Sequence, residues 1–136
     1  RAPEEQVGQA AETLPVTAKE GLLPTAEEAR KAGYRIYGEV VSRVQDSDGN
    51  WHELPEPGFM ANQFWVNEDT GDAPKGKGYG QALLLATIRE HGAYYSLDEK
   101  RLDPTQHVLD ALERKGLITI TPITVGGYPM KMLKAV

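Results

Sequence analysis

Asn62-Gln63-Phe64-Trp65-Val66-Asn67, then Lys75-Gly76-Lys77-Gly78-Tyr79-Gly80, then Gln81-Ala82-Leu83-Leu84-Leu85-Ala86-Thr87-Ile88-Arg89-Glu90-His91 follow one another through the middle of the chain. The first stretch is aromatic and β-branched and predicts a strand. Thr70 to Tyr79, with Gly71, Pro74, Gly76 and Gly78, predicts a loop. The third is apolar over most of a helical circumference and is stopped by Gly92, which predicts a largely buried helix over Gly80 to His91. Ala93 to Leu97 then reads as a short strand. A strand that feeds a buried helix and then another strand predicts a parallel crossover within a mixed sheet, and so an α/β (α+β) fold.

Working outward, Thr25 with Glu28 three residues on has the form of a capping box, and Gly33 that of a stop. Together they predict a short helix over Ala26 to Ala32. Tyr34 to Val44 reads as a strand, Asp46-Ser47-Asp48-Gly49-Asn50 as a turn, and Trp51 to Leu54 as its hairpin partner. Pro55 to Gly58 reads as a proline-containing loop. On the C-terminal side, Asp103 is the expected cap of a helix with Pro104 at its first position and Gly116 after its end. Val108, Leu109 and Leu112 would face inward, with Gln106, Asp110, Glu113 and Arg114 in water. Leu117 to Thr121 and Met130 to Ala135 read as two strands joined through Val125-Gly126-Gly127-Tyr128-Pro129. Residues 1–20 lack apolar periodicity and are expected to form a flexible arm, leaving 21–136 as a single domain.

With 40% hydrophobic and 26% charged residues, the composition is that of an ordinary globular protein. No apolar run is long enough to cross a bilayer. The polar, acidic start shows no secretory pattern and cysteine is absent, so the expected compartment is the cytoplasm. Net charge is −5, of which −3 lies in residues 1–30. No concentrated basic face is present, which argues against a nucleic-acid partner. His52, His91 and His107 show no metal-ligand spacing and are expected at the surface, with no metal. Asp46 to Asn50 lacks the later glutamate of a calcium loop.

A glycine loop that opens a helix gathers free backbone N–H groups at the positive end of the helix dipole, which favours an anion. Gly76, Gly78 and Gly80, beside Lys75 and Lys77, have the makings of a pyrophosphate cradle; the same residues equally suit a tight turn with two solvated lysines. The loop lacks a GKS or GKT ending and the spacing of a dinucleotide-binding turn. It resembles the pyrophosphate loop of the GNAT superfamily of acyl-CoA-dependent N-acyltransferases. That pattern is Arg or Gln, two residues, Gly, one residue, then Gly or Ala, met here by Lys75, Gly78 and Gly80. The downstream order, and Ser96-Leu97-Asp98 before a helix, are similar to compact bacteriophage members. The resemblance covers roughly residues 34–136.

The resemblance implies a mixed central sheet with flanking helices and a truncated N-terminal part. It implies acetyl-CoA as acyl donor, with its pyrophosphate on the amides of residues 76–81 (Gly76, Lys77, Gly78, Tyr79, Gly80, Gln81) and Lys75 beside them. Pantetheine would pair with a splayed strand at Trp65, Val66 and Asn67. The acceptor would be an amine on a protein or a small molecule, in the cytoplasm of a phage's host. A base is needed for the amine and an acid for the thiolate. Glu68 is the first candidate base and Glu39 the second, and either suits a solvated surface carboxylate. Leu112 stands where a tyrosine acid is common, so Tyr95, with Tyr94 and Tyr128 as alternatives, is the candidate acid; each also suits a packed aromatic. Two rival readings remain: a C-terminal winged helix that binds nucleic acid, and a non-catalytic structural or interaction module.

Overall fold

The structure, a computed structural model, describes residues 25–76, 78–97 and 104–136. The expected arm at 1–20, Lys77 and the expected cap Asp103 lie outside them. The described residues form a mixed α+β fold of five strands and three helices. In chain order these are α1 (Ala26–Lys31), β1 (Tyr34–Gln45), β2 (Trp51–Asn67), α2 (Tyr79–His91), β3 (Tyr94–Ser96), α3 (Gln106–Arg114), β4 (Ile118–Val125) and β5 (Tyr128–Ala135). The sheet order is β1-β2-β3-β5-β4. Only β2 and β3 run parallel, joined through α2; the other neighbours are antiparallel.

The local signals explain the ends of the elements. Thr25 Oγ1 accepts from Glu28 N (3.1 Å) while Glu28 Oε1 accepts from Thr25 N (2.9 Å), the reciprocal pair that starts α1. Asp46 Oδ1 accepts from Asp48 N and Asn50 N, each at 2.9 Å, and so turns β1 into β2. Two expectations need correction. Pro55 to Gly58 is not a loop but part of β2, where residues 54–57 stand against Ser42 in a wide bulge. Helix α3 begins at Gln106 with Thr105 as its N-cap, so Pro104 precedes it rather than opening it. Strand β4 also extends past Thr121 to Val125. Its Pro122 is tolerated because β4 is an edge of the sheet among the described residues.

Tyr94 and Tyr95, both fully buried, point to opposite faces as successive strand residues must. On one face Phe59, Ala61, Tyr94, Ile118 and Leu133 pack against Leu84 and Ile88 of α2 and Leu109 and Leu112 of α3. The other face gathers Leu54, Tyr95, Val125 and Met130, with Met60 and Met132 beside them. A third cluster joins Ala29 and Ala32 to Tyr34, Trp65, Tyr79 and Leu83. Register slips by one between Arg35 and Tyr37, so Phe64 and Trp65 together oppose Ile36, and both pack into these clusters.

Candidate functional site

Helix α2 begins where the chain returns from the far end of β2. Its N-cap is Gly78, at φ 80° in the left-handed region, and no side chain caps it. A residue with a Cβ is strained there, and the conformation aims the first-turn amides outward. Tyr79 N donates to Gly76 O (3.3 Å), and Ala82 N to Gly78 O (2.9 Å). No acidic side chain occupies the first turn. Lys115, at the end of α3, reaches back to Gln81 Oε1 (2.7 Å) and brings a positive charge to the same turn. The local field therefore suits an anion.

Beside this turn the two parallel strands part company. β2 pairs with β3 at Phe59–Tyr94 and Met60–Tyr95, after which residues 61–67 continue without β3. Ser96, one residue past the last pair, is 1% exposed, and its hydroxyl has no hydrogen-bond partner among the described residues. A buried hydroxyl without a partner costs about 1–3 kcal/mol.

The residues named from the sequence fall into different settings. Trp65 is 1% exposed, with Nε1 donating to Thr87 Oγ1 (3.0 Å); its side chain is core and only its backbone is open to a ligand. Val66 is half-buried beside it. Asn67 is drawn into the turn that follows: its N donates to Asp72 O, its O accepts from Gly71 N, and Oδ1 accepts from Asp69 N and Thr70 N. Lys75 and Gly76 are exposed. Tyr79 is fully buried against the Gly76 backbone, and burial followed by the charge of Glu28 raises its pKa.

Glu68 is exposed at the end of β2, with Oε2 3.6 Å from Arg35 Nη2. Tyr95 lies on the other sheet face, its hydroxyl donating to Glu56 O (2.6 Å) and accepting from Glu56 N (3.3 Å). Burial is the main cause that raises its pKa and keeps it protonated. Tyr95 pairs with Met60, and Glu68 stands eight residues farther along β2, roughly 25 Å at the rise of a strand. The fold does not bring these two together. Leu112 is buried among the core residues, and Glu39 is exposed on β1. Among the exposed residues of α3 are Asp110 and Glu113, which oppose a phosphate backbone.

Two histidines expected at the surface are half-buried. His91 stacks on Phe59 with ring centroids 4.6 Å apart, and His52 Nε2 lies 2.8 Å from Asp46 Oδ2. The hydrogen bond from His52, then those from the turn amides, hold the Asp46 carboxyl below its ordinary 3.8. A depressed carboxyl stabilises the fold above its unfolded-state pKa and loses that contribution as pH falls through the folded-state value. An NMR titration should therefore show the Asp48 and Asn50 amides shifting with a midpoint below pH 3.8; a midpoint at or above that value contradicts the tie.

Lys115, Ser96 and the Asp46–His52 pair escape a reading by motif. The last has a sequence signal nonetheless, because a five-residue hairpin turn sets its flanks side by side. Comparison with protein-family models, with curated proteins and with solved structures finds no match to this chain.

Proposed function

We propose that the chain is an N-acyltransferase of the GNAT kind, taking an acetyl group from acetyl-CoA to an amine on a protein or small molecule. The observation that carries this reading is the parallel pair β2/β3, which parts after Met60 and Tyr95 beside the uncapped N-terminus of α2. The donor set fits an acyl-CoA. First-turn amides at Gly80 and Gln81, with Gly76, Gly78, Lys75 and Lys115 near them, suit a pyrophosphate. The open edge of β2 at Trp65 and Val66 suits the amides of a pantetheine arm, and the orphaned Ser96 hydroxyl suits a polar group entering the opening.

When bound, the thioester supplies an activated acyl group. The protein's part is to orient it and to move protons. Glu68, at the end of the same strand, is the candidate acceptor of the amine's proton. The Tyr95 hydroxyl is held on Glu56 on the opposite face of the sheet, so in this geometry the departing thiolate takes its proton from water.

Calorimetric titration with acetyl-CoA and with free CoA tests the reading. In a Gly80→Glu variant the added Cβ meets only Val108 at an ordinary 3.5 Å, and the carboxylate sits favourably at the helix N-terminus. The variant is expected to fold and to bind at least about a hundredfold more weakly, since it sets a like charge in the anion's place. Absence of binding by the folded wild-type chain overturns the proposal, as does unchanged affinity in the variant.

A further inference from the structure

A groove of about 520 Å³ lies on the sheet face opposite α2 and α3, between the β1–β2 turn and the β4–β5 turn. Its volume is in the range of small-ligand sites. Val44, Met60, Leu97, Val125 and Met130 give it apolar walls, and His52 stands at one end. A second groove, which shares Leu97, Tyr128, Pro129 and Met130, continues from it.

The polar end has a defined chemistry. Asp46 Oδ2 accepts from His52 Nε2, which leaves Nδ1 as an unprotonated acceptor in the neutral ring. No hydrogen bond engages Nδ1 among the described residues. The ring lies close to the opposite turn, where a Cβ on Gly126 would come within 2.7 Å of it. Two further donors, Asp48 N and Asn50 N, bond Asp46 Oδ1. Among the described residues no Lys or Arg lines this groove, and Lys131 lines its continuation.

We propose that this groove binds an apolar-bodied alcohol or phenol whose hydroxyl donates to His52 Nδ1. The site is independent of the acyl-CoA reading, because its lining shares no residue with the donor set named for acyl-CoA. The hydrophobic body supplies affinity and the single donor supplies orientation.

The chain has three methionines, and they report on the groove. Met60 and Met130 line it, whereas Met132 packs in the same cluster without lining it. Protein labelled with ¹³C at the methionine methyls is titrated with 2-naphthol and, separately, with 2-methoxynaphthalene, which has the same body and no donor. The expected result is a saturable shift at Met60 and Met130 that exceeds the shift at Met132, with 2-naphthol bound about tenfold more tightly. His52→Phe is expected to abolish that preference. If His52→Phe disturbs the methyl spectrum, a Val44→Trp variant that fills the groove must abolish the shifts instead. Equal shifts at all three methyls, no saturation, or a preference that survives both variants overturns the proposal.

Discussion

Replacing Trp65 by alanine is expected to lower the unfolding free energy by about 4 kcal/mol, near the top of the range for buried aromatic truncation. The indole is 1% exposed and lies in the cluster that joins α1, β1, β2 and α2. Its removal opens a void where two helices meet two strands, and it breaks the bond to Thr87 Oγ1. Against a typical total of about 5–15 kcal/mol, that leaves a chain close to its unfolding limit. Trp65→Phe should cost only about 1–2 kcal/mol. It keeps most of the ring volume, and Thr87 Oγ1 still donates to Leu83 O at 2.7 Å. Urea unfolding with a constant m-value measures both. Equal losses for the two variants would show that the hydrogen bond, not the packing, dominates this site.

The second large effect is expected at Gly58, where β2 resumes pairing with β1 after the wide bulge. A Cβ there would meet Tyr95 Cε2 at 2.7 Å, with the Ala93 Cβ and carbonyl at 3.0 Å. Backbone and a buried ring cannot give way cheaply, so Gly58→Val is expected to cost about 3 kcal/mol. The ring is pinned from its far end as well, by the two hydrogen bonds to Glu56, whose carboxylate holds Lys134 Nζ at 2.8 and 2.9 Å. A double-mutant cycle with Tyr95→Leu isolates the clash: the pair should be less destabilised than the sum by about 1 kcal/mol. Simple additivity would mean that Gly58 is needed for some other reason.

What could be read from the sequence was local. The capping box at Thr25, the Asp46 turn and the apolar run of α2 each depend on residues within a few positions of one another, and each was legible. So was the parallel crossover, because a strand, a buried helix and a strand in series have few other arrangements. The course of β2 through Pro55 and Pro57 was hidden. What holds it is the Tyr95 hydroxyl and the Lys134 ammonium, 39 and 78 residues away from Glu56. The full length of β4 was hidden for a similar reason, since Pro122 reads as a breaker until the strand is known to be an edge. At the candidate site the glycine-rich turn into α2 was visible, because glycine spacing is a local property. The point at which β2 leaves β3 and the buried Ser96 hydroxyl were not, for both arise from how far two strands remain paired.

Strand β5 is synthesised after every other element described, yet it lies inside the sheet, between β3 and β4. During translation β3 therefore waits with one edge open, and Leu133, fully buried in the finished core, is among the last core side chains to emerge. The two faces of the sheet cannot close one after the other from the N-terminus. They close together, when Tyr128 to Ala135 slots in beside Tyr94 to Ser96. A ribosome-bound chain halted before Tyr128 lacks the strand that joins β3 to β4, which leaves it open to aggregation and proteolysis until β5 emerges.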